Sequence, residues 1–557
     1  MTLSSEPAVL IVGAGPSGLM LACQLALRHI PFRIIDRNPG PTDKSKALVI
    51  QSRTLEIFEQ MGLATQALQQ GQVATGLNFI LQGRWVQHIS LPGAGQKLSP
   101  YPYLCILEQS KTERLLMDFL AQYHLQVEWN TELIHVEQAK DQVKARLRYK
   151  DLHREEVRAS WLVGADGASS KVREACQIPL LGGTKTHTFL VADTQVNWDF
   201  NHQEAFLCLA KNKLAAFFPM PGEGRFRVLS LLPPQQENQA SLPFELLAAD
   251  LEKNLGFPLT FRDTRWVSTY RLQHRYARQL RKNRCFLAGD AAHIHSPAGG
   301  QGMNTGLQDA YNLAWKLALV IRESAPADLL DTYQQERLPV AKKLVSATDQ
   351  LFGFLVSTNP LLQFTRLHLL SLVLRKVFRY NQLRTGIFRQ LSQIGIHYRK
   401  SPLSVSAPGS NHFPGQAPLP GDRVPYSLIY SPDHDKLQPL YASLRHPYFT
   451  LLVFKSSFST DRAEQLLAEL EENLLPPIPD LISPILIYPH EKNNAVYELF
   501  GINEDAFYLI RPDNYIAFRS QPANVDSLLE YLRDTLQIPL QDPDIHDLED
   551  LFDPAFD

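Results

Sequence analysis

The segment that most constrains this chain is Gly13-Ala14-Gly15-Pro16-Ser17-Gly18, set between a short apolar run, Ala8 to Val12, and an amphipathic stretch, Leu19 to Arg28. The order reads as buried strand, tight turn and helix. Gly13 permits the turn, Gly15 lets the backbone approach a pyrophosphate, and Gly18 lets helix and strand pack closely. Pro16 and Ser17 open the helix, whose N-terminal N–H groups and positive dipole end face the phosphates. Phe32 to Ile35 is the next strand, which completes a βαβ unit and predicts a doubly wound, Rossmann-like α/β sheet. A lone GxGxxG is weak evidence; between a strand and a helix it is strong.

Asp36 ends the second strand, 18 residues beyond Gly18. A carboxylate there accepts hydrogen bonds from ribose hydroxyls and disfavours a 2′-phosphate. The tightly held ligand is therefore expected to be FAD or NAD rather than NADP, with Arg37 as a neighbouring contact. Far along the chain, Leu287-Ala288-Gly289-Asp290-Ala291-Ala292-His293 couples a buried strand, Cys285 to Ala288, to an acidic turn. Gly299-Gly300-Gln301-Gly302-Met303-Asn304 follows, and the helix it opens runs from Gly302 to Ile321. A second glycine-rich site so distant from the first suits a cofactor with two ends, adenosine at one and ribityl chain with isoalloxazine at the other. FAD is the expected cofactor.

A chain of 557 residues is too long for one core and predicts about three domains. With 44% hydrophobic residues, 20% charged and a net charge of −2, the composition is that of a soluble globular protein with no nucleic-acid footprint. Cys23, Cys105, Cys176, Cys208 and Cys285 form no CxxC pair, which argues against a disulfide framework, a zinc site or a dithiol centre and fits a reducing cytoplasm. The N-terminus lacks the features of a signal peptide, so no export is expected. His293-Ile294-His295 has no cysteine or acidic ligand pattern nearby, so it reads as ordering the loop after Asp290, and no metal site is expected. Gly93-Ala94-Gly95 reads as a polar loop, because no strand feeds it into a helix.

Between Leu180 and Tyr276, strand-like segments such as Ala215–Phe218 and Phe226–Leu231 predict an inserted sheet-rich domain. Leu361 to Phe378 is strongly apolar, but Arg366, His368, Arg375 and Lys376 make it too polar to span a membrane. It reads as a buried amphipathic helix, with contact to a membrane surface as the alternative. Ser401 to Pro425 holds six prolines and three glycines and reads as an irregular interdomain linker. Beyond it, strands at Thr450–Phe454, Ile485–Tyr488, Phe507–Ile510 and Tyr515–Phe518 alternate with helices at Arg462–Leu475, Ala495–Phe500 and Val525–Leu536. That order resembles a thioredoxin-like domain, one without cysteine and hence without thiol redox chemistry. The last 17 residues carry seven acids and read as a solvated tail.

Three ordered segments carry a family resemblance: GAGPSG; Gly164-Ala165-Asp166-Gly167 running on to Ser170, Lys171, Val172 and Arg173; and GDAAH running on to GGQGMNTGLQDAYNLAWKL. Together they resemble the FAD-dependent aromatic hydroxylases, and the C-terminal pattern is similar to the phenol and polyketide hydroxylase branch. The resemblance implies a first FAD-binding part at 1–177, a substrate domain at 178–277, a second FAD-binding and helical part at 278–400, the linker at 401–425 and a thioredoxin-like domain at 426–557. It implies that Asp290 binds the ribityl chain, that Gly289, Gly300 and Gly302 shape that end of the site, and that Met303 and Asn304 present backbone groups to the flavin ring. Gln109 would contact the cofactor. Asp166 and Gly167 would serve the pyrophosphate and transient NADPH or NADH, and Pro297 would border the flavin where oxygen reacts. Many relatives have Arg where this chain has Lys46, which keeps the charge and loses the bidentate fork. Arg53 is the better cofactor-side cation, against a plain surface arginine.

The activity so implied is NAD(P)H- and O2-dependent hydroxylation of an aromatic, phenolic small molecule through a flavin C4a-hydroperoxide, with non-covalent FAD. Phe217, Phe218, Pro219 and Met220 are the candidate pocket lining, against ordinary sheet core. The base that deprotonates a phenol is not identifiable; Tyr270 and His274 are bare candidates. No WxWxIP segment supports a halogenase. Epoxidation, Baeyer–Villiger chemistry and a non-enzymatic flavin-binding sensor stay open, as does a homodimer.

Overall fold

A computed structural model describes residues 6–43, 47–210, 213–232, 244–294, 300–357, 359–365, 376, 379–410, 413–431, 435–456 and 481–539. The chain divides into two units, Met1–Ala314 with Arg337–Gly395, and Trp315–Glu336 with Ile396–Asp557.

In the first unit a five-stranded sheet runs in the order Arg281–Lys282, Cys285–Leu287, Trp161–Gly164, Val9–Val12, Phe32–Ile35. All neighbours are parallel except the short first pair. Val9–Val12, Phe32–Ile35, Trp161–Gly164 and Cys285–Leu287 are buried at every position, which is why they read as unbroken apolar runs rather than alternating ones. The helix Pro16–Ala26 starts with Pro at its first turn and leaves directly from the first strand's glycine turn.

Beside two three-stranded sheets, this unit holds an eight-stranded sheet in the order His293–Ile294, Thr260–Ala277, Leu180–Asn197, Arg225–Leu231, Lys213–Pro219, Ala205–Ala210, Gly76–Leu81, Arg84–Ser90. Sequence reading found its central strands. It missed the hairpin Gly76–Ser90, which joins through parallel pairing with Ala205–Ala210, a partner far away in sequence. Gly93-Ala94-Gly95 is also corrected: strand Arg84–Ser90 runs straight into a helix, Leu91–Gly95. Ser90 caps that helix by accepting from Gly93 N–H, and Leu91, Ala94 and Gly95 are buried. A Cβ on Gly95 would strike the Phe388 ring.

One face of the large sheet packs on helix Phe244–Asn254 around Trp198, whose ring lies 4.7 Å from Phe217, 4.9 Å from Phe206 and 5.0 Å from Phe226. Strand alternation sends Phe218 to the other face, where Phe189, Leu209 and Leu214 meet Phe352 of helix Asp331–Val356. The expected buried helix from Leu361 is corrected where it is described, in Pro360–Phe364: Leu361 is 70% and Phe364 55% exposed. Arg366–Arg375, Val377 and Phe378 lie outside the described residues.

In the second unit a five-stranded sheet has the order Val405–Ser406, Ile516–Ser520, Ala506–Ile510, Phe449–Phe454, Ile482–Ile487. Phe449–Phe454 is parallel to Ile482–Ile487 and antiparallel to Ala506–Ile510. The Pro-rich stretch belongs to this core: Val405–Ser406 adds a strand, and Leu403, Ala407, Ala417 and Val424 are buried. Its prolines break long elements but leave enough backbone donors for a two-residue pairing. The expected helix Arg462–Leu475 and the acidic tail lie outside the described residues. Among the described residues no helix is long and apolar enough to cross a membrane.

Candidate flavin site

The first glycine turn is shaped by two close approaches and one opening. Gly13 has φ +104°, and a Cβ there would lie 2.4 Å from Ala165 O; a Cβ on Gly18 would lie 1.9 Å from Gly13 O. Gly15, by contrast, would project a Cβ into space with nothing within 4 Å. Two glycines therefore let strands and helix touch, and the third keeps a surface clear at the helix start. Pro16 and Ser17 follow as the first helical residues. Asp36 is fixed beside this turn: Ala14 N–H donates to its Oδ2 at 2.8 Å, and the backbone N–H and side-chain amide of Asn38 donate to its Oδ1 at 2.8 Å. Arg37 next to it is exposed.

The other two segments converge here. Asp166 Oδ2 caps helix Lys171–Ala175, accepting from Lys171 N–H at 2.6 Å, while its Oδ1 is buried with no hydrogen-bond partner among the described residues. Burial pushes the Asp166 carboxyl above its usual range, against the pull of Ser170 and the helix amides. The Arg173 guanidinium donates to Ala168 O at 2.8 Å and Ala291 O at 3.0 Å, tying the 166–170 loop to the turn Gly289–Ala291. A Cβ on either Gly289 or Gly306 would meet Ser17 Oγ at 2.3 Å, so the first glycine turn, the Gly289–Ala291 turn and helix Gly302–Ile321 meet around one serine. Asp290 sits at the exposed tip of its turn.

Behind that turn lies a buried network that sequence reading saw only at His293. Asp309 Oδ2 accepts from Gly289 N–H at 3.1 Å and pairs with His293 Nε2 at 2.6 Å; its Oδ1 accepts from Arg337 Nε at 2.7 Å. Burial pushes the Asp309 carboxyl up, but the charges and hydrogen bonds of His293 and Arg337 outweigh it and hold the group below its usual range. Nothing in the sequence singles out Asp309, since the same helix also carries the buried polar residues Asn304, Thr305, Gln308, Asn312 and Lys316.

Asn304 fixes the third segment. Its Oδ1 accepts from Gln51 N–H at 2.9 Å, and its Nδ2 donates to Val49 O at 2.7 Å and Gly300 O at 2.8 Å. Gly300, at φ +63°, packs on Val49. The amides of Gly302, Met303 and Asn304 open helix Gly302–Ile321, where helical geometry gives them no acceptor within the helix. Gln109 braces the neighbouring chain: its Oε1 accepts from Ala47 N–H at 3.2 Å and its Nε2 donates to Glu113 at 2.9 Å. Phe218 and Met220 pack with Leu48, Val49, Ala74 and Ile106, beside the Gly300–Asn304 segment, with Pro219 between them. Phe217 belongs to the aromatic core on the opposite face, which corrects its expected place in a pocket wall.

Arg53 is fully buried, with its guanidinium on Glu56 at 3.1 Å and 5.9 Å from the centre of the Tyr311 ring, so the surface reading is overturned. Tyr270 is partly buried and stacked on Phe189 at 5.7 Å, and the burial of its hydroxyl pushes the phenol far above the ordinary range. His274 lies 3.6 Å from Asp349 on the wall of a separate cavity of about 420 Å³ shared with Gly183, Tyr276 and Lys342. Lys46 and Pro297 lie outside the described residues. Among the described residues, no group of three or more His, Cys, Asp and Glu is placed to hold a metal ion.

Residues 6–348 match the family of FAD binding domains. The chain is 35% identical over 532 residues to a 6-methylpretetramide 4-monooxygenase of Streptomyces rimosus, covering 95% of this chain and 93% of that one. The chain belongs to the FAD-dependent aromatic monooxygenase family. A pentachlorophenol 4-monooxygenase of Sphingobium chlorophenolicum is 30% identical over 95% of this monooxygenase and 96% of its own length. The solved anhydrotetracycline hydroxylase of Streptomyces rimosus superposes with a TM-score of 0.75 at 26% identity, covering 96% of this chain and all of that one. FAD is the monooxygenase's cofactor, and two features of the site fit it: the space left clear at Gly15 and the buried Asp166 Oδ1, which has no hydrogen-bond partner among the described residues.

Proposed function

We propose that this monooxygenase hydroxylates a phenolic ring, with fused-ring phenols of the polyketide type as the first substrates to test, using NADPH or NADH and O2. The observation that carries the reading is the apolar wall of Phe218, Met220, Leu48 and Val49 set against the Gly300–Asn304 segment. Such a wall suits an aromatic ring and excludes water. The relatives whose printed substrates are a pretetramide, a chlorophenol and an anhydrotetracycline support the phenolic class. Bound FAD supplies hydride acceptance from the nicotinamide and delivery of one oxygen atom from O2.

The chain's own residues take the following parts. The turn Gly13–Gly18 and the start of helix Pro16–Ala26 receive the pyrophosphate, and Asp36, already pinned by Ala14, accepts from the ribose hydroxyls, with Arg37 and Lys46 as nearby cations. Asp290 holds the ribityl chain, and Met303 and Asn304 direct their amides at the ring because Asn304's side chain is committed elsewhere. Gln109 and Arg53 brace the chain around residues 47–53. Asp166 and Gly167 take the transient nicotinamide nucleotide, and Pro297 borders the reacting face. We read the parallel sheet as Rossmann-like, 178–277 as the substrate domain inserted between the FAD-binding parts 1–177 and 278–400, 401–425 as a packed linker, and 426–557 as thioredoxin-like. A parallel pair, Phe449–Phe454 with Ile482–Ile487, followed by the antiparallel pair Ala506–Ile510 with Ile516–Ser520, supports that reading of the last. A cytoplasmic enzyme, free to dimerise, is the form proposed.

The test is NAD(P)H consumption with a panel of phenols under isotopically labelled O2. A productive phenol accelerates consumption and gains one labelled oxygen. Oxidation without incorporation overturns the hydroxylation reading and leaves the family intact.

A further inference from the structure

The cysteines are scattered in sequence, and the fold brings two of them together. Cys176 closes helix Lys171–Ala175, and Cys285 opens strand Cys285–Leu287. That helix packs on this strand and on its neighbour Trp161–Gly164, where a Cβ on Gly164 would strike Val172. Two further side chains tie the cysteines to one spot. Lys282, paired across a short hairpin with Cys285, donates from Nζ to Cys176 O at 2.7 Å. Gln138 donates from Nε2 to Cys176 Sγ at 3.8 Å, and its Oε1 accepts from the backbone N–H of Arg284, the residue before Cys285, at 3.1 Å.

The two thiols are unlike. The hydrogen bond that Cys285 donates pulls the Cys176 thiol below its ordinary range; burial opposes this, and the Lys282 charge adds to the pull. The same hydrogen bond, followed by burial, pushes the Cys285 thiol far up. One sulfur therefore has thiolate character and the other keeps its proton, which suits an attacking and a resolving thiol. The remaining cysteines differ. Burial pushes the Cys105 thiol up to about 12 and the Cys208 thiol further, and it pushes Cys23 up against a backbone hydrogen bond. Cys176 and Cys285 are themselves buried, but Gln138 and Lys282 beside them are only half-buried, so a small oxidant has a thin layer to pass.

We propose that Cys176 and Cys285 form a dithiol site that hydrogen peroxide closes to a disulfide. Peroxide is what O2 becomes when it takes two electrons and no substrate receives an oxygen atom, so the oxidant belongs to the enzyme's own chemistry, whichever phenol it hydroxylates. Cys176 Sγ, as thiolate, attacks one peroxide oxygen; the O–O bond breaks, Cys176 becomes a sulfenic acid, and the departing hydroxide takes up a proton as water. Cys285 Sγ then attacks Cys176 Sγ; the S–O bond breaks, the S–S bond forms, and the second hydroxide leaves as water with the Cys285 proton. The thiols lose two electrons and the peroxide gains them. The bond ties the helix that Asp166 caps to the strand that leads into the Gly289–Ala291 turn.

The experiment treats the full FAD-loaded chain with a stoichiometric amount of hydrogen peroxide, blocks free thiols with iodoacetamide in denaturant, and maps unreduced peptides by mass. A peptide pair joined through Cys176 and Cys285 is expected, two hydrogen atoms lighter than the free pair and separated again by dithiothreitol. These two are expected to oxidise about tenfold faster than Cys23, Cys105 and Cys208. In Cys285→Ser the reaction is expected to stop at a sulfenic acid on Cys176, trapped by dimedone, and in Cys176→Ser the thiol of Cys285 is expected to stay reduced. Unchanged flavin content in both variants shows that each folds. Both thiols remaining free in the native protein, oxidation of all five at one rate, or no dimedone adduct on Cys176 in Cys285→Ser overturns the proposal.

Discussion

Two buried charge networks, one in each unit, differ in what they leave open. Around Asp309, three donors share one carboxylate, and one of them is the backbone N–H of Gly289, in the turn that carries Asp290. Around Arg511 the network closes on itself. Both its guanidinium edges are taken, by Glu336 at 2.7 and 2.9 Å and by Asp513 at 2.9 and 2.6 Å. Lys316 and Ser401 complete Glu336, and the Trp315, Tyr398 and Tyr515 rings surround the cation. Both networks bear the desolvation cost of buried ions. Only the first spends part of its bonding on the backbone of the candidate flavin site. A buried ion cluster alone is therefore weak evidence of function; a donor shared with the backbone of a glycine turn is better evidence.

The sharpest way to break this comparison is Asp309→Ala. It leaves Arg337 buried without its carboxylate and releases Gly289, so stability is expected to fall by about 3–5 kcal/mol, with FAD affinity down more than tenfold in whatever fraction stays folded. Denaturant unfolding and flavin titration measure the two effects separately. Retained affinity would make Asp309 a purely structural residue.

Arg511→Met should cost a similar, slightly smaller amount, about 3 kcal/mol, because Lys316 still partners Glu336 while Asp513 loses its cation. Its FAD affinity should stay within about threefold of the parent, a shift of about 0.7 kcal/mol or less. A flavin loss equal to that of Asp309→Ala would erase the distinction between the networks.

Gly15→Ala sharpens the ligand side alone. Its Cβ meets nothing in the protein, so the melting temperature is expected to hold while FAD affinity drops about tenfold, or about 1.4 kcal/mol, from the clash with the pyrophosphate. Unchanged affinity would move the phosphates away from this turn.

The smallest effect is one of pH. Burial pushes the Lys316 ammonium down to about 8, against the pull of Glu336. A base depressed on folding favours the neutral form in the fold. Its contribution to stability therefore grows as pH rises from about 8 towards the ordinary lysine value, and is lost as pH falls through 8. Between pH 7 and 9.5 wild type should gain on the order of 1–2 kcal/mol relative to Lys316→Met. Parallel stability curves for the two proteins would show that Lys316 does not titrate there.

Much of the fold was legible. Phe32–Ile35 and Gly302–Ile321 were read to the residue, and Val9–Val12 and Cys285–Leu287 to within one, because each is a buried apolar run or helix bounded by glycine. The glycine turns of the candidate flavin cradle were legible for the same reason, since glycines at a strand–helix turn have few other uses. Asp309 and Arg337 were not: a charged residue inside a helix looks the same in sequence whether it faces solvent or a buried partner. Phe217 and Phe218 were read as a pair, and strand alternation put them on opposite faces.

The sequence by itself determined the βαβ opening, the three glycine-rich segments and the cofactor class, since each depends on local spacing that the backbone must obey. Tertiary structure alone decided that Ser17, Gly289 and Gly306 share one contact, that Gly76–Ser90 joins the large sheet, and that Leu361 and Phe364 face outward. Those outcomes depend on partners remote in sequence, and apolar character gives no sign of whether a partner exists to cover it.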